Sequence, residues 1–254
     1  MKIFVVIKQV PDTETQLKIE GSKINESGIK WIVSPFDEHA LEESLVLKGK
    51  TGGEITAVTL GPERANEALR TALALGVDRA ILIKDDSYNV LDSAWTARVL
   101  AAYLKKEGAE IILTGNIAID SQSSMVPAMI AEELGCAAIN NVIEVNVENN
   151  KLTCRREIEG GVATMESGSP VVISATKNLN NPRYPSLKGI MTAKKKSIES
   201  ISVEELGVST DNRIEVVGFE PPPARPAGRI IEGSSPAEKA KELARLLKEE
   251  VKVI

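Results

Sequence analysis

The chain has 254 residues, of which 43% are hydrophobic and only 3% aromatic, and its formal net charge is −5. This hydrophobic content is enough for a folded core and excludes a wholly disordered chain. The negative charge and the few aromatic rings argue against a nucleic-acid-binding or membrane-surface protein.

Short β-branched runs alternate with helical patterns through the first half of the chain. The predicted strands are Ile3–Ile7, Ile55–Leu60, Ala80–Ile83 and Ile111–Thr114. The predicted helices are Glu38–Leu47, Glu63–Leu75 and Leu91–Lys106. Continuous apolar strands separated by helices are typical of a parallel sheet covered on both faces. Because crossovers are right-handed, the pattern predicts an α/β fold with a doubly wound, mainly parallel sheet.

An antiparallel extension is predicted after Gly135. Turn residues such as Glu148-Asn149-Asn150 and Glu159-Gly160-Gly161 separate short strand-like runs. These runs are Val142–Val147, Leu152–Glu157 and Val162–Met165. Val171–Ala175 is predicted to be a further buried strand, and residues 16–34 a short hairpin.

The last part of the chain loses regular core character from about residue 178. It contains a basic cluster, Lys194–Lys196, and a stiff run, Pro221–Pro223. A final helix is predicted with Pro236 in its first turn, capped by Ser234 or Ser235. We expect residues 1–190 to form the α/β domain, and residues 191–254 an extended C-terminal arm and helix that pack on the body of the protein or on a partner subunit.

Several kinds of catalytic chemistry have no residues to support them. The chain has one histidine, His39, in a predicted helix, and two cysteines, Cys136 and Cys154, without a CxxC spacing. We therefore predict no metal site, no catalytic residues and a reducing compartment. Without a targeting segment or a long apolar run, the protein is expected to be cytoplasmic and not inserted in a membrane.

A polar run, Gly115–Ser124, follows the predicted strand Ile111–Thr114 directly and leads into a helix that continues to Leu134. Ligands of open parallel sheets bind beyond the carboxyl ends of the strands, where helix N-terminal amides and hydroxyls hold anions. The alternative is that Asp120, Ser121 and Ser123 only cap the helix. Since neither a Walker A motif nor GxGxxG is present, the residues predict an anionic, nucleotide-type ligand and nothing narrower.

The sequence resembles a known protein family along nearly its whole length. The stretches that carry the resemblance are Val5–Asp12, Ser34–Glu43, Leu69–Arg79, Thr114-Gly115 with Ala118-Ile119-Asp120, Arg155–Gly161, Asn181-Pro182-Arg183-Tyr184, and Ile190-Met191 with Ala193–Lys196. They resemble, in the same order, the β (small) subunit of electron-transfer flavoproteins.

The resemblance implies an electron carrier subunit, not an enzyme, in a heterodimer with an FAD-bearing α subunit. Such a heterodimer carries electrons from acyl-CoA dehydrogenase-type flavoenzymes of fatty acid oxidation to a membrane quinone oxidoreductase. The β subunit binds AMP structurally on its adenine-nucleotide-binding domain. The implied cofactor-binding residues are Val6, Ser34, Pro35, Phe36, Asp37, Leu60, Gly115, Asn116, Ile117, Ala118, Ile119, Asp120, Ser121, Gln122, Ser123, Ser124, Met125 and Val126.

The segment Tyr184–Met191 resembles the family's recognition loop for dehydrogenase partners. Leu187 matches the leucine that anchors in the partner's pocket, and Ile190 and Met191 lie beside it in the sequence. The alternative is a surface loop with an incidental leucine. An apolar anchor flanked by lysines is typical of an interface with an acidic partner.

Departures from the family pattern leave the ligand open. The loop Ser121–Val126 lacks the Asn-Gln-Thr-Gly run of AMP-binding members, and Val126-Pro127 is closer to bifurcating relatives. In those relatives the β subunit holds its own FAD and the complex oxidises NADH. A stand-alone adenine-nucleotide-binding protein is the remaining alternative.

Overall fold

The computed structural model describes residues 1–88, 91–148, 151–209, 214–225 and 227–254. Asn149 and Asn150 of the predicted turn therefore lie outside the described residues. The described chain falls into two compact units: residues 1–18 with 24–217, and residues 19–23 with 218–254.

A nine-stranded sheet organises the first unit. Its strands are β1 (Lys2–Val6), β6 (Glu54–Gly61), β7 (Arg79–Lys84), β8 (Ile111–Gly115), β9 (Ala137–Glu148), β10 (Lys151–Ile158), β11 (Gly161–Ser167), β12 (Val171–Ala175) and β13 (Glu199–Ser202). Their order is β11-β10-β9-β12-β8-β1-β6-β7-β13. From β9 to β13 all neighbours are parallel, whereas β10 and β11 are antiparallel. The predicted doubly wound sheet with an antiparallel extension is confirmed.

Shorter strands lie between β1 and the first helix. The strands β2 (Gln9–Pro11) and β5 (Trp31–Val33) pair antiparallel, and β3 (Lys18–Glu20) pairs with β4 (Lys23–Asn25) as the predicted hairpin.

Helices cover both faces of the large sheet. They are α1 (Pro35–Thr51), α2 (Asn66–Leu75), α3 (Ser93–Glu107), α4 (Val126–Leu134) and α5 (Leu187–Lys195). Successive side chains of β1 point to opposite faces, so Ile3 packs with α1 and α2 whereas Phe4 packs with α3 and α4. This two-sided burial explains why the strands have continuous apolar sequences.

Two elements extend this unit past residue 190, where we expected the domain to end. Helix α5 packs closely on α2, since a Cβ at Gly189 would clash with the carbonyl oxygen of Ala74. Arg70 of α2 donates to the carbonyl oxygen of Ala193 at 2.7 Å. Strand β13 then adds to β7 in parallel, and the unit continues to Val217. Strand β13 was not predicted from the sequence, because Glu199–Ser202 is short and polar.

The second unit contains the helix α6 (Pro236–Leu246). As predicted, Pro236 lies in its first turn, and the hydroxyl of Ser235 accepts from the amide of Glu238 at 3.3 Å. A π-helical turn, Leu247–Val251, follows directly. None of the helices in the described part of the chain has the length and apolar character needed to cross a bilayer.

Candidate functional site

An open cleft lies at the carboxyl ends of β1, β6 and β8, in the first unit. Its volume, including the open mouth, is about 660 Å³. The chain leaves β1 toward β6 on one side and leaves β8 toward β9 on the other, so the cleft lies at the topological switch point of the sheet.

The loop from β8 to α4 forms one wall of the cleft. Helix α4 begins at Val126 without a side-chain cap, and Pro127 lies in its first turn. Its first amides therefore lack a side-chain acceptor and carry the positive end of the helix dipole. Gln122 and Ser124 have φ angles of 50° and 53°, which are unusual for residues other than glycine. Strained backbone beside an uncapped helix is typical of an anion-binding loop.

Hydroxyl groups line the same wall and the floor. The Oγ atoms of Ser93 and Ser123 lie 3.2 Å apart, so the start of α3 contacts the loop. Within the described residues, the buried Oγ1 of Thr114 at the end of β8 has no hydrogen-bond partner. A buried hydroxyl without a partner is costly, so a ligand that bonds to it would remove that cost.

One ion pair ties the loop to the end of β1. The Nζ atom of Lys8 lies 2.8 Å from Oδ2 of Asp120, and both side chains are mostly buried. The pair fixes the loop beside β1, and Lys8, whose ammonium group forms the pair, is one of the residues that line the cleft. That ammonium group can contribute to binding an anion.

A buried carboxylate connects the two strands that flank the switch point. Oδ2 of Asp37 accepts from the amide of Lys8 at 2.7 Å, and Oδ1 accepts from the amide of Gly115 at 2.8 Å. Burial raises the pKa of Asp37 to about 7, although the two amides and the charge of Lys8 act in the opposite direction. Asp37 thus holds the strand ends together at the bottom of the cleft.

Most of the predicted cofactor-binding residues come together at this cleft. Those that line it are Val6, Asp37, Leu60, Gly115, Asn116, Ile117, Ala118, Ser121, Ser123, Ser124, Met125 and Val126. Those that do not line it are Ser34, Pro35, Phe36, Ile119, Asp120 and Gln122. Of these, Ser34 is fully buried at the start of α1, and Asp120 instead pairs with Lys8.

Other lining residues were not among the predicted cofactor-binding residues. They are Ile7, Lys8, Tyr88, Ser93, Thr96, Leu100, Thr114 and Pro127. Ser93, Thr96 and Leu100 follow each other at helical spacing along α3, where the apolar pattern indicates only a core-facing helix. The polar residues Ser93 and Thr96 on an otherwise apolar face were the available signal.

The predicted partner-binding residues lie in α5, away from the lining of the cleft. Leu187 is 83% exposed, Met191 67% and Ile190 41%. The segment is helical from Leu187 onward and not a loop, because Ser186 caps the helix by accepting from the amide of Gly189 at 3.0 Å. Ile190 and Met191 follow Leu187 by three and four residues, so the three side chains lie on one face of α5.

Elsewhere in the described residues, no group of three or more His, Cys, Asp or Glu side chains is placed to hold a metal ion. Cys136 and Cys154 are free thiols. His39 is half-buried in α1, with Nδ1 3.1 Å from the backbone oxygen of Asn180.

Fold and cleft together define an open, doubly wound α/β protein with a candidate anion site at its switch point. The family model described as "Electron transfer flavoprotein domain" matches residues 22–206. A protein of Bacillus subtilis named "Electron transfer flavoprotein subunit beta" is 40% identical, with all of both chains covered. A protein of the same name from Syntrophomonas wolfei is 39% identical over all of this chain and 98% of its own. The chain belongs to the electron-transfer flavoprotein family and resembles its β subunits from end to end.

Proposed function

We propose that this chain is the β subunit of an electron-transfer flavoprotein heterodimer, which binds AMP structurally in the cleft at the switch point and docks a flavin-dependent dehydrogenase. In this role it is an electron carrier subunit of the cytoplasm and not a catalyst. Electrons pass through the FAD of the α subunit, on the route from acyl-CoA dehydrogenase-type enzymes to a membrane quinone oxidoreductase. The observation that carries the nucleotide assignment is the uncapped start of α4 behind a serine-rich loop.

The residues of the cleft suit an adenine nucleotide. Apolar surface from Val6 and Leu60 lies next to strand ends, whose backbone groups can recognise an adenine ring. The hydroxyls of Ser121, Ser123 and Ser124 and the first amides of α4 would hold phosphate. The unpartnered hydroxyl of Thr114 offers a further hydrogen bond inside the cleft. A bound nucleotide would stabilise the folded chain by mass action and supplies no chemistry of its own.

A partner subunit is supported by the second unit. Its apolar residues Ile230 and Ile254 are 86% and 70% exposed, and Leu243 and Val251 on α6 and the turn after it are 45% and 58% exposed. An arm with this much exposed apolar surface is stabilised when a partner covers it. We therefore assign residues 218–254 to contact with the α subunit.

Nucleotide analysis of the coexpressed heterodimer tests the proposal. After acid release and chromatography, we expect one FAD and one AMP per heterodimer. Two FAD per heterodimer, with reduction by NADH, would instead identify a bifurcating β subunit with FAD in this cleft. One FAD and no second adenine nucleotide would overturn the nucleotide role of the cleft. A soluble monomer that hydrolyses ATP would overturn the subunit assignment.

Serine variants test the position of the phosphate. Ser121→Ala with Ser124→Ala should lower the affinity for AMP roughly thirtyfold, since each of the two hydrogen bonds contributes about 1 kcal/mol. The affinity for adenosine should change little. Ser27→Ala, in an exposed turn outside the cleft, is the matched control. An equal loss for adenosine and AMP would place the phosphate elsewhere.

A further inference from the structure

The carboxylate of Asp37 lies between the two strand ends that flank the cleft. It accepts from the amide of Lys8, just beyond β1, and from the amide of Gly115, the last residue of β8. Both residues line the cleft. We propose that Asp37 is a positioning residue, whose ionised carboxylate sets the separation of β1 and β8 and thereby the shape of the cleft that receives the adenosine part of the ligand. This inference rests on the proposed nucleotide function.

Only a group with two acceptors and no donor suits this position. An ionised carboxylate offers both oxygens as acceptors, one for each amide. An asparagine, or a protonated carboxyl group, replaces one acceptor with a donor that would face an N–H group. One of the two strand ends would then lose its hydrogen bond, and the buried amide would be left without that partner.

Asp37 and the start of α1 pack closely against the end of β8. A Cβ at Gly115 would clash with Oδ1 of Asp37 and would lie 2.9 Å from the backbone nitrogen of Asp37 and from the carbonyl carbon of Phe36. Helix α1 therefore begins directly against the end of β8. A change in the hydrogen bonding of Asp37 is transmitted to the strand, because no free space separates the two.

The charges around Asp37 define how the arrangement responds to pH. Lys8, at the end of β1, and Asp120, in the loop after β8, face it, and Glu38 and His39 follow it on α1. Burial is the largest cause of the shift and raises the pKa of Asp37 to about 7. The charge of Asp120 adds to this rise, whereas the charge of Lys8 opposes it. Protonation near neutral pH would convert one acceptor into a donor, so affinity should fall as the pH falls through this range.

Binding measured against pH tests the inference on the full chain with its coexpressed α subunit. Adenosine is the probe, because the second pKa of a phosphate is about 6 and would add its own titration if AMP were used. For the stripped wild-type protein, the affinity for adenosine should fall between pH 8.5 and pH 6. The steepest slope should be at most about tenfold per pH unit, the limit for one linked proton.

Two isosteric variants distinguish a positioning role of Asp37 from the general effect of removing a negative charge from the start of α1. Asp37→Asn should bind adenosine several-fold more weakly at pH 8.5 and show no dependence on pH. Glu38→Gln removes the next carboxylate on the same helix, which is exposed and does not line the cleft, and should keep the wild-type profile.

Two results would overturn the inference. One is a wild-type profile that is flat from pH 8.5 to pH 6, which needs no variant and stands even if Asp37→Asn fails to fold. The other is a folded Asp37→Asn variant with wild-type affinity and profile. Both results can be distinguished from failure of the proposed function. In that case, the wild-type complex would neither contain nor bind an adenine compound at any pH.

Discussion

The guanidinium group of Arg183 holds the carboxylate of Glu42 by two parallel hydrogen bonds, each 2.7 Å long. Beside it, the side chain of Asn180 donates to Glu43 at 3.1 Å and to the backbone oxygen of His39 at 3.0 Å. The segment between β12 and α5 is thereby fixed on α1. Since α5 carries the exposed residues proposed to dock a dehydrogenase, α1 supports both the cleft and the docking surface.

Replacing Arg183 should weaken this attachment. A lysine keeps the charge but cannot make the bidentate contact. The side chain of Arg183 is 52% exposed, so solvent screening limits the loss of unfolding free energy to about 1 kcal/mol. Urea unfolding of Arg183→Lys measures it. Arg155→Lys is the control, because its pair with Glu144 is more than half exposed on both sides and should contribute little. Equal losses for both variants would contradict a special role of the Arg183 pair.

The same pair predicts a dependence of stability on pH. Hydrogen bonding to Arg183 lowers the pKa of Glu42 below its ordinary value, so the folded state favours the ionised form. The contribution of this ion pair to stability is then fully present at pH values above the pKa of Glu42 in the unfolded chain, roughly 4.3. It is lost as the pH falls through the lower pKa of Glu42 in the folded protein. The difference in unfolding free energy between wild type and Arg183→Lys should be constant from pH 7 to pH 5 and should shrink below pH 4. A difference that grows with acidification would contradict this assignment.

Two Gly→Ala substitutions should have opposite effects on stability. At Gly115 the added methyl group meets Asp37 and the start of α1, so Gly115→Ala should cost about 1–3 kcal/mol. At Gly49, an exposed position of helix α1, nothing lies within 4 Å of the new methyl group. Gly49→Ala should stabilise by about 0.5–1 kcal/mol through helix propensity. Thermal unfolding of both variants in the same buffer checks the pair, and a neutral Gly115→Ala would show that α1 moves away from β8 at little cost.

Much of the fold could be predicted because its signals are local. Strand β12 was predicted with its observed bounds, Val171–Ala175, because a parallel strand buried on both faces is apolar throughout. Strand β13 was missed because Glu199–Ser202 forms a strand by pairing with β7. The side chains of this segment show no pattern that would indicate the pairing.

Cleft residues could be predicted from the sequence only where they directly follow a strand. The loop after β8 met that condition, and most of its residues line the cleft. Ser93 and Thr96 did not meet it, because they lie on α3, which reaches the cleft by crossing the sheet from β7 to β8. Asp37 was included on family resemblance, yet its hydrogen bonds to Lys8 and Gly115 depend on residues 29 and 78 positions away, as no local pattern could show.

Leu187 should be required for electron transfer from a dehydrogenase but not for folding. It is 83% exposed, so Leu187→Ala removes little buried surface and should leave thermal unfolding of the heterodimer unchanged. An anchor residue in a partner's pocket typically contributes 2 kcal/mol or more, which corresponds to a loss of roughly thirtyfold in kcat/KM with the dehydrogenase as donor. Flavin reduction in the α subunit by an acyl-CoA dehydrogenase with its substrate measures the rate. Chemical reduction by dithionite should proceed as in the wild type.

Leu17→Ala is the matched control for this test. Leu17 is 48% exposed in the loop before β3, outside the docking helix, so the same truncation should leave the rate with the dehydrogenase unchanged. The lysines beside the anchor, Lys188 and Lys194, favour an acidic partner, so the wild-type rate should fall as salt is added. If Leu187→Ala retained the wild-type kcat/KM at low salt, α5 would not be the docking surface. The exposed apolar residues of α5 would then have to be assigned to a different partner.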